Sequence, residues 1–237
     1  MLALDDELLK EYFAFEHNRV KDYDKTTIIK LFKYLQPFKM SVRQKEALGL
    51  SDEKIKSLRD IGFLKIYRFK NENDLIKNTK LKLMLTKDGV DTSYPYPYIN
   101  ILDDEVDVSF TATYKSGENR DKAVEHIRAL LLDSNEITIY DRYLSANSSW
   151  SINKKVLSEI LPIKTVDIKI YCDIHWNNLR KSDLETYCSN WRINKKEWNR
   201  DIHDRYIKTD KVTILLSSGV INLGNSSKDF TYIIRVN

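Results

Sequence analysis

The second half of the chain alternates short runs of period-two hydrophobicity with amphipathic stretches of helical period, and this alternation narrows the fold more than any other feature. Asp107–Tyr114, Glu136–Tyr140, Val166–Tyr171, Lys211–Leu216 and Phe230–Val236 read as strands. Between them, Arg120–Leu132 places Ala123, Val124, Ile127, Leu130 and Leu131 at helical spacing. Ile152–Leu161 reads as a second helix, ended by Pro162, and Ser182–Asn190 as a third. Strands separated by helices of this length pack as an α/β layer structure with a largely parallel or mixed sheet. No internal repeat is present.

The first half reads differently. Leu4–Arg19 is an apolar-faced helix, and Thr26–Leu35 a second one, stopped at Pro37. A short helix over Ser41–Leu48 closes at Gly49, and Ser51 then caps a helix over Asp52–Ile61 that ends at Gly62. Phe63–Phe69 and Lys80–Leu85 are strand candidates on either side of the polar stretch Lys70–Thr79. Tyr94-Pro95-Tyr96-Pro97-Tyr98 holds the backbone extended and reads as a connector. The expected organisation is a small, mainly helical domain over 1–93, a connector over 94–106 and an α/β domain over 107–237.

With 42% hydrophobic and 31% charged residues, the chain has the composition of a globular protein. It has no apolar run of membrane-spanning length and no secretory h-region. Cys172 and Cys188 form neither a metal spacing nor a disulfide framework, so a cytoplasmic protein without a cofactor is expected. The net charge of +4 conceals an asymmetry. Between residues 25 and 87 basic side chains outnumber acidic ones by more than two to one, which is either a lysine-rich solvated surface or a polyanion-binding face. A second group, Trp176 and then the stretch Trp191, Arg192, Lys195, Lys196, Trp198 and Arg200, interleaves aromatics with cations as nucleic-acid sites do. The seven-residue spacing of Trp191 and Trp198 also suits one buried helix stripe.

Immediately after that stretch comes His203-Asp204-Arg205, then Asp210, giving H-x-R-x4-D; Ser217-Ser218-Gly219 and Asn222 follow. This pattern resembles the phospholipase D signature H-x-K-x4-D with its trailing small-residue turn and asparagine. The resemblance implies phosphodiester chemistry without a metal: His203 as nucleophile or acid, Asp210 as its orienting partner, Arg205 as clamp on the nonbridging oxygens. Ser217, Ser218 and Asn222 would be auxiliary phosphate-binding residues. Imidazole is nucleophilic when neutral and titrates near pH 7, and cations stabilise charge on phosphoryl oxygens. Arginine is a planar fork rather than a point charge, suited to static bidentate binding. Because the motif occurs once, a catalytic version needs a second chain related by a two-fold axis. His126, on an apolar helix, reads as packing; His175 and His17 have no such motif around them.

Asp141 and Arg142 stand at the end of a strand, where α/β sites gather. Together with Ile202-His203-Asp204-Arg205 and Asn153 they resemble the H-D-R subgroup of phospholipase D-like domains, similar to the lipid-binding domain C-terminal to microtubule-interacting-and-trafficking modules. That resemblance spans about 107–237; Asp141 and Arg142 would contact phosphate, pair within the fold, or merely cap the next loop. Over about 25–90, Leu58 to Leu64 and the Leu85-Thr86-Lys87-Asp88-Gly89 turn resemble a winged helix-turn-helix. Its implied nucleic-acid-binding residues are Lys54, Lys56 and Arg59 on the recognition helix, with Lys70, Lys77 and Lys80 on the wing. The leading expectation is a phosphodiester-directed nucleic-acid-binding protein, with DNA as the expected partner, that binds the backbone or cuts it as a metal-independent nuclease, in a prokaryotic defence or mobile-element system and as a homodimer or complex subunit. The alternative is a noncatalytic adaptor that binds a protein partner or anionic phospholipid; membrane association is not expected.

Overall fold

Residues 2–17, 22–33, 38–60, 69–87, 96–102, 109–175 and 178–237 are described by the computed structural model, without the side chains of 33, 58 and 59. They fall into two units, 1–107 and 108–237. None of the described helices is long and apolar enough to cross a membrane.

The first unit runs β1 (Leu2–Ala3), α1 (Asp6–Glu16), α2 (Lys25–Lys33), β2 (Phe38–Lys39), α3 (Val42–Ala47), α4 (Asp52–Asp60), α5 (Glu72–Lys77), β3 (Met84–Thr86) and β4 (Tyr98–Asn100). Local chemistry sets its helix starts. Asp5 accepts the Leu8 amide at 2.8 Å to cap α1. Ser41 and Gln44 form a reciprocal capping box at α3, and the Ser51 hydroxyl accepts the Lys54 amide at α4. Gly49 ends α3 in the left-handed region at φ 62°. The core is made by Leu4, Leu8, Leu9, Leu75, Ile76 and Leu85, all fully buried.

Two expectations are corrected here. The supposed wing, Lys70–Lys80, contains α5: Asn71 caps it, and Leu75 and Ile76 sink into the core, so two apolar residues in a polar stretch were enough to make a helix. Phe63–Leu64 and most of that strand candidate lie outside the described residues. The supposed connector over 94–106 supplies β4, which pairs in parallel with β3, and Ile101 beyond it is fully buried. β1 and β2 also pair in parallel. Among the described residues neither parallel pair is a wing hairpin, and residues 61–68, which hold most of the first wing-strand candidate, lie outside them.

The second unit is α/β. It runs β5 (Ser109–Tyr114), α6 (Asp121–Leu131), β6 (Glu136–Tyr140), α7 (Trp150–Ile160), β7 (Val166–Cys172), α8 (Lys181–Glu185), β8 (Trp191–Glu197), β9 (Arg205–Lys208), β10 (Val212–Leu216), α9 (Ile221–Gly224) and β11 (Phe230–Val236). Its strands form one mixed sheet in the order β5-β11-β10-β9-β6-β7-β8. β6, β7 and β8 are parallel; β9 runs antiparallel to β6, and the remaining pairs are antiparallel.

Period-two alternation gives the sheet two unlike faces. Phe110, Ile137, Ile139, Ile168, Ile170, Ile207, Ile214 and Tyr232 are buried on one face. α6 covers part of it: the buried His126 shares a 2.8 Å hydrogen bond between Nδ1 and the Tyr232 hydroxyl and meets the Phe110 ring edge-on. This is the packing role expected of His126. The helix stripe expected through Trp191 and Trp198 is instead strand β8, where Trp191 is buried and donates Nε1–H to the Pro162 carbonyl at 2.8 Å. The third helix is the short α8, not Ser182–Asn190.

Candidate functional site

Because β9 is antiparallel to β6, the start of one strand lies beside the end of the other. Tyr206 pairs with Tyr140, which brings Arg205 next to Asp141. The site therefore forms at the carboxyl ends of the parallel strands β6 and β7, where open α/β sheets gather their ligands.

Asp141 is buried and organises this end of the sheet. Its Oδ2 accepts the Val220 amide at 2.9 Å and its Oδ1 the Tyr143 amide at 3.0 Å. Arg205 Nε lies 3.7 Å from Oδ1. Burial pushes the Asp141 carboxyl above its ordinary range, against the opposing pull of the two amides and Arg205. Gly219, at φ 86°, closes the third side: a Cβ there would lie 2.7 Å from Asp141 Oδ2 and 3.2 Å from Arg205 Cδ. Only glycine meets both the backbone conformation and the approach.

Arg142 follows Asp141 and stacks its guanidinium over Trp198 at 4.5 Å and over Tyr143 at 5.4 Å. Arg205 approaches the same Tyr143 ring, also at 5.4 Å. The Arg142 Nε is buried without a hydrogen bond, its carboxylate neighbour Asp173 being 3.6 Å away. Arg142, Tyr143, Trp198, His203, Asp204 and Arg205 line a recess of about 80 Å³. A larger one, about 250 Å³, is lined by His203 and Arg205 together with Leu215, Ser217, Thr231 and Ile233. His203 is exposed at the mouth of both.

Other expected site residues are placed differently. Asp210 lies in the turn after β9, at the opposite end from His203; four residues of strand span roughly 10 Å. It is exposed there, and the strand carries it away from the imidazole it was expected to orient. Asn222 is buried and donates its amide to the Ser218 carbonyl at 2.7 Å, so it fixes the turn. Ser217 Oγ accepts the Thr231 amide at 2.9 Å. The Ser218 hydroxyl is buried without a partner. Asn153 donates to the Leu144 carbonyl at 2.8 Å, tying α7 to the loop after β6. His175 is exposed just beyond β7.

In the first unit, Lys54 is spent on Glu16. Lys56, Lys70, Lys77 and Lys80 are exposed, and the Arg59 side chain lies outside the described residues. Among the described residues no cluster of three or more His, Cys, Asp or Glu could hold a metal ion. Sequence reasoning placed Trp198 in an aromatic–basic stretch and Gly219 in the small-residue turn without joining either to Asp141 and Arg142, and it gave Tyr143 no role. Tyr143 sits one residue beyond an expected site pair, but nothing in the sequence joins Trp198 to Arg142, because that contact spans three strands.

No protein-family model and no curated protein matches the chain. Among solved structures, the chain is similar to NucT from Helicobacter pylori, with 13% identity and a TM-score of 0.34 over 54% of this chain and 86% of that one. It is also similar to a phospholipase D family member, Nuc from Salmonella typhimurium, with 15% identity and a TM-score of 0.35 over 54% and 84%. A third similarity is to TrmBL2, an archaeal chromatin protein described as showing a novel mode of DNA binding; identity is 12% and the TM-score 0.29, over 52% of this chain and 46% of that one.

Proposed function

We propose that the second unit grips a backbone phosphate of nucleic acid in the recess formed by Arg142, Arg205 and His203. The observation that carries this is the convergence of two guanidinium groups and one imidazole on a space of about 80 Å³, a little under three water volumes. That is room for a single tetrahedral oxyanion. Arg205 turns one nitrogen to Asp141, and among the described residues no hydrogen bond takes up its terminal nitrogens. Guanidinium donors held by a buried carboxylate and an aromatic pair are preorganised for a phosphodiester and lose little freedom on binding it.

The same recess supports a second reading, metal-independent cleavage with His203 as nucleophile. It is supported by the exposure of His203 beside Arg205. It needs a second imidazole, which a second copy would supply across a two-fold axis. Against it stand the far-end position of Asp210 and the use of the Asn222 amide on the Ser218 carbonyl, so that neither assists His203. Binding is accordingly the function proposed, in a reducing compartment suited to the buried free thiols of Cys172 and Cys188.

The test is an oligonucleotide binding and cleavage assay in EDTA. Parent protein is expected to bind in a salt-dependent way, His203→Ala to bind more weakly than the parent, and Arg205→Ala to lose at least ten-fold in affinity. Cleavage by the parent that vanishes in His203→Ala would establish the enzymatic reading instead. Undiminished binding by Arg205→Ala/Arg142→Ala would remove the recess from the function.

A further inference from the structure

The face of the seven-stranded sheet opposite α6 is lined by two parallel rows of side chains. One row crosses the sheet as Arg235 on β11, Thr213 on β10, Lys208 on β9, Thr138 on β6, Lys169 on β7 and Asn194 on β8, each in register with the next. Cations stand on every second strand with threonines between them, so the cationic Cα positions recur at ~10 Å. Arg235, Lys208 and Asn194 are exposed. Lys169 is paired with Glu136 at 2.8 Å, whereas Lys208 and Arg235 make no ion pair among the described residues.

The second row lies two residues along each strand, or roughly 7 Å away. It comprises Ile233, Leu215, Tyr206, Tyr140 and Tyr171, again in register. Leu215, Ile233, Tyr206 and Tyr171 keep part of their surface accessible. The three tyrosines form a ladder, with Tyr140 stacked on Tyr206 at 5.1 Å and on Tyr171 at 5.3 Å. The apolar end of this row, Leu215 and Ile233, is also the floor of the 250 Å³ recess at His203 and Arg205. A cationic row thus runs beside an apolar row, and the apolar row leads into the proposed phosphate site.

We infer that this face is a platform for single-stranded nucleic acid, laid across the strands with its phosphates along Arg235, Lys208 and Lys169 and its bases over the apolar row. The inference rests on the phosphate-gripping reading of the recess and extends it to the class of ligand and its path. Unpaired bases can cover Leu215, Ile233 and the outer Tyr206 ring while the backbone neutralises the cations. A duplex turns its bases inward and leaves the apolar row uncovered. A second copy of the chain would bring like charge to like charge, since Lys169, Lys196, Lys208, Arg192 and Arg235 outweigh Glu136 and Asp167 on this face.

The test uses the full chain and a fluorescent 20-nucleotide single strand of mixed sequence, DNA and RNA in separate arms. Anisotropy is followed from 50 to 200 mM salt in EDTA. Lys208→Glu/Arg235→Glu is expected to weaken binding at least ten-fold. The slope of log affinity against log salt should shrink by about 1.4, at ~0.7 per lost phosphate contact on a single strand. Lys208→Gln/Arg235→Gln, gentler on folding and checked by circular dichroism, should fall between the parent and the glutamate variant. If both variants bind as the parent does while Arg205→Ala does not, the platform is overturned and the recess stands. No binding by the parent would defeat both readings. Tighter binding of a 20-base-pair duplex than of the single strand would overturn the platform. So would a parent dimer, seen by sedimentation, that the glutamate variant dissociates.

Discussion

Replacing Gly219 by alanine tests whether the Asp141–Arg205 clamp is as tight as described. Two separate effects are expected. The left-handed backbone at φ 86° costs an L-residue ~1–2 kcal/mol. The new methyl also falls 2.7 Å from Asp141 Oδ2, inside any tolerable contact, so the carboxylate must move and the buried Val220 amide loses its acceptor. An unmet buried donor costs about 1–3 kcal/mol, and the total is ~2–5 kcal/mol. Gly117 is the internal control, because its φ is 85° but a Cβ there meets nothing within 4 Å. Gly117→Ala should therefore show the backbone cost alone. Urea unfolding of both variants, with equal m-values, measures the difference. Equal losses in Gly219→Ala and Gly117→Ala would mean that the backbone of Gly219 does not press on the clamp, and the reasoning would fail. Gly219→Ala should also weaken oligonucleotide binding, since Arg205 Cδ lies 3.2 Å from the added methyl, whereas Gly117→Ala should leave binding unchanged.

Three further outcomes are expected. Asp141→Asn can accept from only one of the Val220 and Tyr143 amides and sets an NH₂ group against the other. It should lose ~1–3 kcal/mol in denaturant titration, and Asp141→Ala should not be milder. Tyr232→Phe removes the hydroxyl that shares a hydrogen bond with His126 Nδ1 and should cost ~1–3 kcal/mol with no change in oligonucleotide affinity; altered affinity would give His126 more than a packing role. Asp5 caps α1, and burial, its main influence, pushes its carboxyl up to about 6. A folded value above the unfolded one means its contribution is fully present below pH 4 and lost as pH rises through 6. Asp5→Asn keeps the cap without the titration, so its unfolding free energy should exceed the parent's at pH 7 by about 1–2 kcal/mol after allowance for partial solvent screening, measured by denaturant titration, and the gap should close towards pH 4.

Much of the second unit was legible because its strands alternate cleanly. Glu136–Tyr140 is β6 to the residue, and Val166–Tyr171 lacks only Cys172 of β7. The failures have physical causes. β8, an edge strand, carries charges at exposed positions and only Trp191 fully buried, so its pattern is too weak to separate from a helix. β9 is four residues long and its alternation is hidden inside the H-D-R motif. In the first unit, β1 to β4 are two or three residues each, below the length at which period two can be seen. As for the site, the pairing of Asp141 with Arg205 lay within reach, since both had been singled out, but their register comes from the antiparallel β6–β9 pairing. Asp210 shows the opposite failure: a motif places it near His203 in sequence, and an extended strand separates them in space.

The most direct check on the central claim is a crystal structure of the protein soaked with tungstate, an oxyanion visible by anomalous scattering. The expected result is an anomalous peak in the recess, with oxyanion oxygens within hydrogen-bond distance of Arg205 and Arg142 and His203 at its mouth. An empty recess, with tungstate bound instead to the lysines around α4 and α5, would contradict it.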